Sequence, residues 1–263
     1  MSTDNVYSEL VRGYATEVRS RLDAIADMAA SGGLDGAVDL LTEAVEAGAV
    51  IQAFGTGHSE AFSMEVAGRA GGLIPTNKIA LRDLVLRGDR PLDVLGGSAM
   101  ERDPTVVEDL WNLSPIGPGD VFVIASNSGV NGSVVGLAIL AKEKGHGVIA
   151  VTSLQHTMQV TPKHPSGKRL SDVADVVLDN LAPYGDATLS LPEGGNQSDG
   201  VPVGAVSSIT SAFLAQLLTI GVAERIRAAG RVPPLYLSAN IPGGDEHNAV
   251  LERQYEGRIR RGT

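Results

Sequence analysis

The sequence predicts an α/β fold in which a parallel sheet is covered by helices on both faces. Three observations lead there. Short apolar runs such as 49–54 and 121–125 alternate with longer segments of helical periodicity. Runs that are apolar on both sides suit strands buried on both faces, the condition of a parallel sheet. Two of those runs end in Gly/Ser-rich loops, Gly55-Thr56-Gly57-His58-Ser59 and Ser126-Asn127-Ser128-Gly129-Val130-Asn131-Gly132, each just before an apolar helix. In such a sheet ligands bind at the carboxyl ends of the strands.

The elements follow in order. Val6–Ala30 places Leu10, Val11, Tyr14, Val18, Leu22, Ile25 and Met28 near helical spacing, and Leu34–Ala47 repeats the pattern, so two helices precede the first strand. That strand ends at Phe54 and feeds a helix over about His58–Arg69. A helix near Pro104–Leu113, a strand Val121–Ala125 and a helix Ser133–Lys144 come next. Strands Val148–Thr152 and Ala174–Leu178, a long helix over about Val203–Ala228 and a final helix near Glu246–Arg258 complete the alternation. Gly72–Gly97 and Gln155–Ser171 are less regular and read as active-site loops. Neither has the composition of a linker, so residues 1–263 are one domain, with a helical N-terminal extension (about 1–33) and a C-terminal helical tail (about 240–263).

Composition narrows the function. The net charge of −10 argues against a nucleic-acid or anionic-membrane surface, so any anion site must be local and built largely from neutral donors. The absence of cysteine excludes disulfides, thiolate catalysis and cysteine-ligated metal centres. Asp4, Glu9, Arg12, Glu17, Arg19, Arg21 and Asp23 among the first residues do not make a signal peptide, and a cytoplasmic location is expected. Between Asp199 and Glu224 no residue is charged, a length that raises a membrane span. Its Ser, Thr, Gln, Gly and Pro content, without an aromatic belt, favours a buried core helix.

Both loops are suited to an anion. Glycine lets backbone approach the ligand, hydroxyls donate, and the following helix presents free N–H groups at the positive end of its dipole. The first loop lacks the third glycine of a dinucleotide fingerprint, and no Gly-Lys-Ser/Thr ending points to a nucleoside triphosphate.

The combination Phe54-Gly55-Thr56-Gly57-His58-Ser59, Ser126-Asn127-Ser128-Gly129-Val130-Asn131 and Val151-Thr152-Ser153 resembles the sugar isomerase (SIS) domain family over roughly Leu34–Ile226. The resemblance implies a three-layer α-β-α sandwich with a mainly parallel five-stranded sheet, and a phosphosugar ligand. It implies that Ser126, Ser128 and Asn131 hold the phosphate, with Ser59 closing from the first loop and Thr152 or Ser153 at the third strand end. Gly57, Asn127 and Gly129 would shape the substrate site. Val130 and Asn131 depart from the polar residue and threonine of many members.

The family's chemistry starts by removing the C2 proton of an open-chain aldose, work for a positioned carboxylate or histidine. Glu65 sits much as a catalytic glutamate does in phosphoheptose isomerases; on one continuous helix it would share a face with His58, about 700° away. The competing assignment is an ion pair of Glu65 with Arg69. Glu60, about 140° from Glu65, reads as a helix-start cap. In several relatives a C-terminal histidine or charged residue enters a neighbour's site, which makes His247 and Glu252 candidates, against a plain helix start capped by Asp245. Lys168 is a further candidate for charge near the phosphate.

The expected activity is elimination at C3 (lyase or dehydratase) on an amino or N-acetylamino hexose 6-phosphate, after C2 proton abstraction by Glu65 or Glu252. Aldose–ketose sugar-phosphate isomerisation and a non-catalytic module that senses a sugar phosphate are the alternatives. A homodimer with sites at or near the subunit interface is expected from the resemblance; no metal, cofactor, nucleic acid or membrane is.

Overall fold

The computed structural model describes residues 3–191 and 200–260. Asp199, where the uncharged stretch begins, and the last three residues of the C-terminal tail lie outside the described residues. In chain order the elements begin α1 (Thr3–Ala30), α2 (Asp35–Glu46), β1 (Ile51–Gly55), α3 (Glu60–Val66), β2 (Thr76–Ile79) and α4 (Asp83–Leu86). They continue α5 (Ala99–Arg102), α6 (Val106–Leu113), β3 (Val121–Ala125), α7 (Gly132–Glu143), β4 (Gly147–Thr152) and α8 (Leu154–Thr157). β5 (Val176–Asp179), β6 (Ala187–Leu191), β7 (Val201–Ala205), α9 (Ser207–Ala228) and α10 (Gly244–Glu252) follow.

β1 to β5 form one parallel sheet in the order β2-β1-β3-β4-β5. Alternate residues of each strand feed opposite layers. Ile51, Ala53, Val121, Val123, Ile149 and Val151 pack under Ile25 of α1, Leu41 of α2, Phe62 of α3 and Leu214 and Val222 of α9. Phe54, Phe122, Ile124, Val148 and Ala150 pack under Val106 and Leu110 of α6 and Val134, Leu137 and Ala141 of α7. This is the expected three-layer sandwich, and it explains why the central strands are apolar throughout: neither face meets water.

α9 is long and apolar enough to cross a membrane. In the fold its Leu214, Ala215, Leu218, Val222 and Ile226 lie in the core, so its apolar character is used in packing.

The structure moves several expected boundaries. The helix placed over His58–Arg69 is a 3₁₀ turn at Gly57–Ser59 followed by α3, which stops at Val66 before the positive-φ Gly68. A 3₁₀ turn winds with three residues per turn, so the face count joining His58 to Glu65 does not hold. Val203 belongs to strand β7, and β6 and β7 form an antiparallel hairpin where the sequence pattern suggested none. The final helix ends at Glu252 and continues only as a 3₁₀ turn, Arg253–Tyr255. Asp245 lies in the first turn of α10, whose cap position is Gly243.

Candidate functional site

In the order 2-1-3-4-5 the chain reverses its direction of travel across the sheet between β1 and β3, and the loops leaving the carboxyl ends of these two strands flank a crevice there. The loop after β3 makes one wall. Ser126 Oγ accepts from the Gly129 N–H at 3.1 Å, folding the loop back on itself. Gly129 has φ +63°, and a Cβ there would lie 3.0 Å from the hydroxyls of Thr152 and Thr157, so glycine is required twice over. Asn131 holds the N-cap position of α7 in an extended conformation without capping it, and its Oδ1 is buried with no hydrogen-bond partner. The N–H groups of the first turn of α7 are thus left without a side-chain acceptor, a ready anion site.

The loop after β1 makes the second wall. A Cβ at Gly55 would fall 2.2 Å from the Ser59 carbonyl oxygen, so the chain can turn into its 3₁₀ segment only with glycine there. Beside it Thr56 Oγ1 donates to Glu101 Oε2 at 3.3 Å. Glu101 is carried by the short α5, which is tied to α7 by a 2.8 Å bond from Ser133 Oγ to the Glu101 carbonyl.

The third wall comes from α8 and the segment before β6. His156 Nδ1 accepts from the Gly185 N–H at 2.9 Å, leaving any ring proton of the neutral form on Nε2, and its ring lies 5.2 Å from that of Tyr184. Burial lowers the His156 pKa below the usual histidine value, with the charge of Asp186 opposing. Asp186, itself at φ +69°, accepts from the backbone N–H groups of Val206 and Ser207 and thereby caps α9.

Together Thr56, Ser59, Glu101, Ser126, Asn127, Ser128, Asn131, His156 and Asp186 line a cleft of about 260 Å³. It shares Ser59, Asn127, Gly185 and Asp186 with an adjoining groove of about 440 Å³ that His58, Ser207 and the β6–β7 hairpin complete. Among the described residues no lysine or arginine lines either space. The polar lining is made of the hydroxyls and amides of the two loops, the start of α7, the His156 ring and the carboxylates of Glu101 and Asp186.

The expected residues therefore separate into groups. Ser59, Ser126, Asn127, Ser128 and Asn131 converge on the cleft, Gly57 and Gly129 shape its loops, and His58 faces the groove. Thr152 and Ser153 are fully buried beside it, their hydroxyls donating to the carbonyls of Asn127 and Ala182. Glu65 is outside the lining: its carboxylate pairs with Arg69 and accepts from Gln216 Nε2 of α9 at 2.7 Å. Glu60, expected as a cap, instead turns to Arg82 at 2.6 Å and Lys78 at 3.6 Å. Lys168 is exposed and away from the lining.

His247 and Glu252 lie at the other end of the sheet. Around them Val50, Ile74, Tyr236 and Tyr255 form a small core at the start of β1, and His247 Nε2 sits 3.0 Å from the Leu235 carbonyl. Arg258 anchors this segment to the fully buried Asp120 just before β3, at 2.6 Å. Within one chain neither residue can reach the cleft at the carboxyl ends. Sequence reasoning missed Thr56, Glu101, His156 and Asp186 as cleft residues. Glu101 and His156 sit on helices of a single turn and Asp186 on a loop, none with a periodicity to read, and of the three only His156 falls in a stretch that the sequence marked as irregular.

A doubly wound α/β domain with a cleft rich in serine and asparagine at its switch point is the class that fold and site define. The chain belongs to the SIS domain family, whose pattern matches residues 13–153. It is 34% identical over 223 residues to a UPF0309 protein of Geobacillus kaustophilus, covering 85% of each chain. It is 36% identical over 226 residues to one of Streptomyces coelicolor, covering 86% of this chain and 87% of the relative. Among solved structures it resembles a phosphoheptose isomerase from Neisseria gonorrhoeae (TM-score 0.49, 19% identity, 84% of this chain and 99% of that one). A phosphoheptose isomerase from Francisella tularensis is similar at TM-score 0.46 and 16% identity, over 83% of this chain and 98% of that one.

Proposed function

We propose that the protein is a sugar-phosphate enzyme that takes an amino or N-acetylamino hexose 6-phosphate, removes its C2 proton and eliminates the C3 substituent. The observation that carries this reading is the convergence of Ser59, Ser126, Ser128 and Asn131 on the uncapped start of α7. Hydroxyls, backbone amides and a helix terminus are the donors a phosphate needs.

The direction of reaction follows from the substituent on C2. With a hydroxyl there, the enediolate reprotonates at C1 and yields a ketose. With an acetamido group that exit is closed, and loss of the C3 substituent is the accessible outcome. The chemistry needs a base and an acid and no cofactor.

Glu65 is the proposed base, acting in a homodimer. Glu65 follows Met64 (56% exposed) on α3, and its partner Gln216 lies one turn before Ile220 (61% exposed) on α9, exposed apolar residues suited to a second copy. Packed there, Glu65 would serve the neighbour's cleft, and His247 and Glu252 could contribute only in the same manner.

NMR in D2O with hexose, amino-hexose and N-acetylamino-hexose 6-phosphates tests the reading. Loss of the C2 proton signal together with a new vinyl signal is the expected result. A ketose signal would replace elimination by isomerisation, and binding without any C2 exchange would make the protein a sensor.

A further inference from the structure

We propose that Glu101 is the proton donor of this site and that the ligand's own phosphate puts the proton on it. The proposal rests on the phosphosugar reading above.

Glu101 lines the same cleft as Ser126, Ser128 and Asn131. Its placement is fixed from two sides. Its carbonyl is held by Ser133 in the first turn of α7, and a Cβ at Gly132 would lie 2.1 Å from the Arg102 carbonyl, so α5 is laid directly across the helix terminus. The side chain then turns over the first loop: a Cβ at Gly57 would come within 3.2 Å of Glu101 Oε1, and Thr56 donates to Oε2. Among the described residues no lysine or arginine pairs with this carboxylate.

The other charged groups nearby do not offset it. Asp186 on the facing wall is an anion committed to Val206 and Ser207. His156 is biased toward its neutral form by burial. On Glu101's own segment Arg102 is exposed and Asp103 is bound to Thr105. A phosphate on the Ser126–Asn131 loop therefore joins the Glu101 and Asp186 carboxylates in a cleft that, among the described residues, no lysine or arginine lines. Like charges so close favour the protonated carboxyl, so a proton enters with the ligand. A carboxylic acid beside the sugar is then ready when the C3–O bond weakens.

The step balances. The base takes the C2 proton, the C2–H electron pair becomes the C2=C3 bond, and the C3–O pair leaves on oxygen. Glu101 gives its proton to that oxygen, which departs as water or an alcohol. The carboxylate that remains, still facing the phosphate, regains a proton from solvent.

Calorimetric titration of N-acetylglucosamine 6-phosphate into the full-length protein, in buffers of differing ionisation enthalpy near neutral pH, measures proton uptake per site. Wild type should take up more than Glu101→Gln, by an amount approaching about one proton. In D2O the Gln variant should still exchange the C2 proton while product formation falls by roughly 10²-fold or more, and Glu101→Asp should restore part of it. Equal uptake in the two proteins, or wild-type product formation by the Gln variant, overturns the assignment. If wild type binds none of the sugar phosphates, the phosphosugar reading fails and takes this proposal with it. If wild type binds and reacts but uptake is unchanged by the substitution, only the role of Glu101 falls. Gln keeps the acceptor for Thr56, and a thermal melt of the variant confirms that it is folded.

Discussion

Asp186 accepts hydrogen bonds from both the backbone N–H and the hydroxyl of Ser207, each at 2.8 Å, so α9 is capped by a residue that precedes the whole β6–β7 hairpin. The same carboxylate borders the cleft. Replacing it with alanine should cost about 1–2 kcal/mol, the usual range for losing a strong cap. Asparagine, which tolerates positive φ and still accepts, should cost less. Urea unfolding of the two variants checks the order.

Ser126 and Ser128 should separate stability from binding. Ser126 Oγ holds the Gly129 amide, whereas Ser128 Oγ faces the cleft and makes no protein hydrogen bond among the described residues. Ser128→Ala should leave stability within about 0.5 kcal/mol and weaken sugar-phosphate binding by about tenfold or more. Ser126→Ala should lose binding and also about 1 kcal/mol of stability. Calorimetric titration and denaturant melts read the two effects independently.

Gly57 has φ +56° with Glu101 against it. Gly57→Ala should therefore destabilise by about 1–2 kcal/mol through the left-handed backbone alone and displace the Glu101 carboxylate. A larger loss of turnover than of sugar-phosphate affinity is the expected signature.

His156 sets a pH dependence. Its folded-state pKa is lowered by burial, so between that value and the ordinary one near 6.5 the unfolded chain binds more protons than the folded one. Stability should rise with pH through this window and be lost as pH falls through the folded pKa. His164 is shifted in the same direction by burial, so the two must be replaced separately. Melting temperatures of His156→Gln between pH 5 and 7.5, about the range of histidine titration, should show a flatter profile than wild type.

Asp120 is fully buried and accepts from the Val50 N–H, Gln52 Nε2, the Gly117 N–H and Arg258 Nη2. Asp120→Ala removes the shared acceptor of four donors and should cost about 3–5 kcal/mol, the range for breaking a buried charge pair. Denaturant unfolding measures it, with the C-terminal segment expected to become sensitive to protease first.

The central strands were legible in the sequence because burial on both faces leaves nothing but apolar residues to read. β2 was not: it reads Thr-Asn-Lys-Ile, and its Asn77 is buried because its amide group bonds the backbone of Arg258 and Arg260, about 180 residues on. The hairpin was hidden by Pro202 and Gly204, residues that argue against a strand when taken alone. In the site, the hydroxyl and glycine loops could be read because a strand–loop–helix motif is local. Glu101, His156 and Asp186 reach the cleft only through tertiary placement, which no spacing along the chain encodes.

The pairing of β1 with β3, Ile51 against Val121 through Gly55 against Ala125, joins segments 70 residues apart. The two loops that wall the cleft hang from these two strands, so neither half of the molecule owns a complete pocket. During synthesis a ribosome must release the chain beyond β3 and α7 before any ligand can find purchase. Ligand-induced protection, followed as the chain lengthens, would accordingly switch on late and report the closing of the central sheet.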